Sequence, residues 1–248
     1  MDIDELLSRY DAGERDFSQI NLQYANLTGL VLEGANLTGA NLTGANLTAA
    51  SFSHADLSGA NLTSATLNHI DLYQANLSKA ILSDASLYQV NFRQANLAEA
   101  ILPAQLSQAN LSEIELPGVQ WHKIILYEAN LSHSNLSKAI LSEANLISAN
   151  LTGIDLSGAN LRNAHLSNAI LIRSNLSGAN LAGANLLEAN LSDASLINAN
   201  LGGASLYGIN LTNTDLSQAR LRGAMLNISD LNKAILTGTQ MPDGSIHD

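Results

Sequence analysis

The chain has no cysteine among its 248 residues. No disulfide can staple it and no thiolate can hold a metal, so the redox compartment stays open. Aromatic residues make up only 4%, although 46% of the residues are hydrophobic. A core must therefore be mostly leucine and alanine, thin and regular. There is no run of about 18 apolar residues of the kind that spans a membrane as a helix, so membrane insertion is not expected. Basic residues are scarce: 11 Lys and Arg stand against 22 Asp and Glu, a formal net charge of −11. That balance disfavours direct binding to nucleic acid or anionic lipid. Met1-Asp2-Ile3-Asp4 is acidic where a signal peptide needs a basic start, so the cytoplasm is the expected compartment.

What the chain does have is a period, and self-similarity is read before anything else. A leucine or phenylalanine falls at every fifth position over most of the length. Phe17, Leu22, Leu27, Leu32 and Leu37 begin the series, which runs to Leu102 and resumes from Leu106 to Met241. Two residues before each centre sits a small residue, usually Ala (Ala25, Ala35, Ala40). Between them sits Asn or Asp (Asn26, Asn36, Asn41). The unit is Ala-Asn/Asp-Leu-x-x. Asn-Leu-Thr and Asn-Leu-Ser match the glycosylation sequon formally, but the repeat itself generates them.

This period fits neither a helix nor a strand. A five-residue step lands about 140° round a helix from its start, so the leucines would scatter over every face. In a strand, an odd step flips successive leucines to opposite faces. A turn in every repeat resolves the conflict. In Ala25-Asn26-Leu27-Thr28-Gly29, Ala25 and Leu27 share the inner side. Asn26 and Thr28 face outward. Gly29 makes the corner, where a tight turn favours φ > 0.

These residues resemble the pentapeptide-repeat family over about residues 15–241. The resemblance implies an all-β fold, a right-handed quadrilateral β-helix with four repeats per coil. There are 18 central residues from Phe17 to Leu102 and 28 from Leu106 to Met241. Four to a coil, they make about eleven coils, and stacking at about 4.8 Å gives a rod of roughly 55 Å. The expected organisation is an α-helical cap at 1–14, the β-helix at 15–241 and a turn or tail at 242–248. In the cap, Ile3, Leu6, Leu7 and Tyr10 share one helical face. Asp2 with Glu5 fits a capping box, and Gly13 fits the stop. No helix is expected inside residues 20–235. Met241-Pro242-Asp243-Gly244-Ser245 carries turn chemistry, suited to a hairpin or strap over the last coil.

The repeat has one fault. Leu102 to Leu106 is a four-residue step, with Pro103 after Leu102 and the corner residue missing, so the short repeat lies at 100–103. The stretch that follows holds Pro117, and Trp121 takes a central slot otherwise held by Leu, Phe or Met. It is a candidate recognition site. The competing reading is a tolerated deletion whose poorer packing the indole fills.

No enzyme is legible. Catalysis needs convergent groups in a concave site, and a filled β-helix is convex outside and dry inside. The histidines (His54, His69, His122, His133, His165, His247) show no metal-ligand geometry, and serines just after the centres lack a paired base. No cofactor or metal is expected.

Specificity would then be written in the outward positions. With four repeats per coil, one side carries Tyr88, Tyr127, Ile147, Leu187 and Tyr207 just after its centres, and Ile125 and Met225 just before them. The adjacent side carries Ile81, Ile101 and Ile140 where Asn is usual. Another side is nearly all Ser and Thr in the equivalent column (Ser18, Thr38, Ser58, Ser78, Ser137, Ser157, Ser177, Ser217). Exposed apolar patches mark interfaces, so these residues are a candidate protein interface. The competing reading is that they strengthen a sheet face.

The leading expectation is a non-catalytic scaffold that binds an unidentified protein, itself a monomer unless ends or faces associate. The alternative is a DNA mimic acting on a type II topoisomerase, gyrase, as in the quinolone-resistance branch of the family. Against it, duplex DNA carries about 32 charges over roughly 55 Å. The chain also lacks the inserted loop and aromatic-rich C-terminal module associated with that branch.

Overall fold

The structure is a computed structural model and describes residues 2–248, with Met1 of the expected cap outside them and the side chains of 228 and 229 likewise undescribed. The coils fall into two units, Met1–Glu115 and Leu116–Asp248.

In each unit the repeating element is one extended bridge residue followed by a turn. Parallel bridges join residues 20 apart, as in Asp16 to Asn36 and Gln120 to Ile140. Four repeats therefore make one coil, and each coil hydrogen-bonds to the next in register. The N–H of Leu27 donates to the Asn46 carbonyl at 2.7 Å, and that of Asn46 donates to the Ala25 carbonyl at 2.9 Å. We number the sides separately in each unit, from its first centres: first Phe17, second Leu22, third Leu27 and fourth Leu32 in residues 1–115; first Leu116, second Trp121, third Leu126 and fourth Leu131 in residues 116–248. The centres and the alanines two residues before them fill the interior. Leu37, Ala40, Leu42 and Ala45 are fully buried in the first unit, and Leu161, Ala164 and Leu166 in the second.

The turn explains the rest of the repeat. The centre's carbonyl accepts from the N–H three residues on, as Leu42 does from Ala45 at 3.0 Å. In the regular repeats the second residue after the centre has φ of about +54 to +72, whether glycine or not. Positive φ at that position alone is the mark of a type II turn. The N–H of the first residue after the centre is met by the Asn or Asp before the centre. Thr43 N–H donates to Asn41 Oδ1 at 3.2 Å, and Ser58 N–H to Asp56 Oδ1 at 2.9 Å. This is an Asx-turn. The same side chains also link coils: Asn36 Nδ2 donates to Asp16 Oδ1 at 3.0 Å and Asn76 Nδ2 to Asp56 Oδ1 at 3.1 Å. The outward Asn slot is therefore structural.

Three regions depart from the regular coil. Helix α1 (Ile3–Asp11) lies over the first coil and buries Leu6 completely. Asp2 accepts from the Glu5 N–H at 2.8 Å, and the Tyr10 hydroxyl donates to the Glu33 carbonyl at 2.9 Å. At 102–106 the corner residue is absent, and the side closes through a bend at Ala104 with Leu102 and Pro103 only half-buried. Pro117, by contrast, opens a regular turn, with Gly118 behind it at φ +72.

The third departure overturns an expectation. A 3-10 helix, Ile228–Lys233, lies inside the region expected to hold none. The corner slot there falls to isoleucine, the one β-branched residue type in any corner slot of the series. Branching at Cβ makes positive φ costly, and the chain takes another route. Leu226 is left half-buried while Leu231 stays buried. Beyond it, the chain reverses into an antiparallel bridge between Gln240 and Ile246, with the Met241 N–H donating to the Ser245 carbonyl at 2.7 Å.

Candidate functional site

The candidate interface residues divide between the units. In Met1–Glu115 lie Ile81, Tyr88 and Ile101. Ile81 and Ile101 are bridged to each other on the second side, 36% and 53% exposed. Tyr88, on the third side, meets His69 edge-on at 5.8 Å.

The other seven lie in Leu116–Asp248. Ile140 sits half-buried on the second side, bridged to Gln120 and Asn160. On the third side Tyr127, Ile147, Ser167, Leu187 and Tyr207 stand one above another. The N–H groups of Glu128, Ser148, Asn168 and Glu188 donate to the carbonyls of Ile147, Ser167, Leu187 and Tyr207 at 2.9–3.0 Å. Tyr127, Leu187 and Tyr207 are exposed, and Ile147 is half-buried. On the same side, before the centres, Ile125 is half-buried and Met225 is exposed. The opposite, first side of this unit carries Ser137, Ser157, Ser177, Ser217 and Thr237, interrupted by Ile197.

The rim beyond the apolar column is acidic at two levels, Glu128 and Glu188. Glu128 hydrogen-bonds the Tyr127 hydroxyl, and that bond with the carboxylate's charge raises the phenol's pKa. On the other rim Lys123 pairs with Glu143 at 3.3 Å. Charge is uneven along the chain: 13 acidic and four basic residues fall in 1–115, against nine and seven in 116–248.

Sequence reasoning passed over other exposed apolar residues: Tyr24, Val31, Ile170 and Ile235. The last three occupy the Asn slot, and an aliphatic residue there was the available signal. In the irregular stretch Trp121 is 7% exposed, Leu102 and Pro103 are half-buried and Pro117 is exposed.

Three of the histidines contact neighbouring side chains. His54 meets Tyr73 edge-on at 5.4 Å, and His122 Nδ1 lies 2.8 Å from Ser142 Oγ. Among the described residues, no group of three or more His, Cys, Asp or Glu could hold a metal ion. None of their helices is long and apolar enough to cross a membrane. Buried hydroxyls in the alanine slot are satisfied internally: Ser174 donates to the Leu171 carbonyl and Thr214 to the Leu191 carbonyl, each at 2.7 Å.

Coils of four five-residue sides, closed by type II turns, define a right-handed quadrilateral β-helix protein. The pentapeptide-repeat family model matches eight copies between residues 16 and 241, and the chain belongs to that family. Among solved structures it is similar to HetL, a pentapeptide-repeat protein involved in heterocyst differentiation regulation from the cyanobacterium Nostoc sp. strain PCC 7120. The two are 38% identical over 100% of both chains, with a TM-score of 0.58. It is also similar to QnrB1, a plasmid-mediated fluoroquinolone resistance protein. That likeness is 18% identity over 83% of this chain and 95% of the other, with a TM-score of 0.50, and it extends to the fold. A search of curated protein sequences gave no match.

Proposed function

We propose that this protein is a non-catalytic scaffold in the cytoplasm that binds another protein through the third side of residues 116–248. The observation that carries this reading is the column of Tyr127, Ile147, Leu187 and Tyr207, facing away from the serine-rich first side. Large apolar groups in contact with water mark interfaces when they lie together. Coil-to-coil hydrogen bonds already fix the backbone beneath them, so docking would order little of this chain. Tyrosine also gives large contact area with few rotatable bonds. Similarity over the full length to HetL, a protein involved in heterocyst differentiation regulation, supports a non-catalytic reading. The topoisomerase alternative finds less support, because residues 116–248 carry nine acidic side chains against seven basic ones.

Site-specific photocrosslinking tests the proposal. A crosslinking amino acid replaces Tyr127 or Tyr207 in one set and Ser157 or Ser177 in another. The expected result is one protein captured from the tyrosine positions and not from the serine positions. The captured protein, once purified, should lose binding to the Tyr127→Ser/Leu187→Ser/Tyr207→Ser variant. Equal capture from both sides, or undiminished binding by that variant, would overturn the reading.

A further inference from the structure

We infer that the occupant of the third side in residues 116–248 is an amphipathic α-helix with basic residues along one flank. This rests on the docking reading above and names the chemistry of the partner.

The first argument is spacing. The column presents one side chain per coil, at about 4.8 Å. An α-helix presents one side chain per turn along a stripe, at about 5.4 Å. Laid along the column, its stripe gains only about 0.6 Å per coil, about 2.4 Å over four coils. An extended strand presents alternate residues at about 6.6–6.8 Å and falls out of step within two coils when it runs along the column. From Tyr127 to Tyr207 is four coil steps, about 19 Å, which a helix of about 13 residues spans.

The second argument is shape. The column reads large, large, small, large, large: Tyr127, Ile147, Ser167, Leu187, Tyr207. Ser167 leaves a notch at the centre, where one large side chain of the partner fits between Ile147 and Leu187. Anchors near the middle of an interface contribute most to binding.

The third argument is charge. Glu128 and Glu188 follow Tyr127 and Leu187 directly and lie on one rim, three coils apart. Lys123 on the opposite rim is already paired with Glu143. A partner with lysine or arginine on the flank facing the glutamates is favoured, and the asymmetry sets which way the helix lies.

The test selects binders from a random library of displayed 20-residue peptides on the full-length protein. The Tyr127→Ser/Leu187→Ser/Tyr207→Ser variant, checked for an unchanged melting curve, removes peptides that bind elsewhere. The expected survivors show apolar residues at i, i+3/i+4 and i+7 with a large central one and lysine or arginine on one flank. They should become helical by circular dichroism when bound. Ser167→Trp, which fills the notch, should weaken them at least tenfold, and Glu128→Lys/Glu188→Lys should do the same. Survivors that alternate with period two or are rich in proline would overturn the helix assignment. So would full affinity for the Ser167→Trp variant, or no enrichment over the triple variant. Photocrosslinking judges the docking face separately, so the helix can fail while the face stands.

Discussion

At the scale of single residues, the corner position is the most constrained slot on the surface. Residues as different as Gln89, Lys138 and Arg173 hold φ between +54 and +59 there. For a side chain with a Cβ this conformation costs about 1–2 kcal/mol. The cost is tolerated because the turn is pinned from several directions: at Lys138, the Ala139 N–H donates to the Leu136 carbonyl, the Lys138 N–H to the Ser157 carbonyl of the next coil and the Ser137 N–H to Asn135 Oδ1. Gly178 and Gly153 separate backbone cost from crowding. A Cβ at Gly178 meets nothing within 4 Å, whereas one at Gly153 lies 2.7 Å from His133 Nδ1. Gly178→Ala should cost about 1 kcal/mol from φ alone. Gly153→Ala should cost the same amount if the imidazole swings aside, and more if it is held. Denaturant midpoints of the two variants decide between these. The centre slot behaves differently. Leu151 is 1% exposed in an interior lined by leucine and alanine. Leu151→Asp puts a carboxylate there without a partner and should lower stability by more than about 4 kcal/mol. An unchanged melting curve would show that the centre points outward.

At the scale of elements, helix α1 covers one end of a coil whose outer backbone groups would otherwise face water. Open sheet edges recruit other chains. Removal of residues 1–14 should therefore produce concentration-dependent association in sedimentation, and a monodisperse truncated protein would deny the helix its capping role. The helix end also gives a pH signature. Arg9 Nε donates to Glu14 at 2.7 Å, and this hydrogen bond lowers the Glu14 pKa. A carboxylate with a depressed folded pKa stabilises the fold above its unfolded value of about 4.3 and loses that contribution as pH falls through the folded one. Glu14→Gln should thus lower the melting temperature at pH 7, and the difference should shrink as pH falls below about 4.3. Much of this architecture was legible in the sequence. The five-residue period required a turn per repeat, and the stripe from Ile3 to Tyr10 marked α1. The Asx bonds were not legible, because an outward asparagine looks the same whether it meets water or caps a turn. The 3-10 helix was missed because the series of centres runs on through Leu226 and Leu231. The warning lay in the corner slot, where a β-branched residue cannot readily take the turn. That Tyr127, Ile147, Leu187 and Tyr207 share one side was legible, since a four-repeat coil fixes which residues stack. Val31, Ile170 and Ile235 escaped because they are spread singly over two other sides.

At the scale of the whole molecule, charge separates the two functional readings. Each coil advances about 4.8 Å, a length over which duplex DNA carries about three charges. A mimic needs comparable density along its whole binding surface. Here the negative charge is concentrated in residues 1–115, with 13 acidic and four basic side chains. Five of those acids, Asp2, Asp4, Glu5, Asp11 and Glu14, belong to α1 and its immediate flanks. Residues 116–248 carry nine acidic and seven basic side chains over all their coils, and their distinguishing outward feature is apolar. The likeness to QnrB1 at 18% identity extends to the fold, and a shared fold does not carry a shared site. We therefore expect no protection of DNA gyrase from quinolone-stabilised cleavage when this protein is added at stoichiometric levels. Cleavage and supercoiling assays, run at low and physiological salt, measure this directly. Low salt favours any electrostatic mimic, because exposed charges are then least screened. Protection under either condition would place DNA mimicry above protein docking and would require the sparse acids to be positioned against the enzyme rather than merely counted. Absence of protection, together with crosslinking from Tyr127 and Tyr207, would leave the apolar third side as the surface through which this molecule acts.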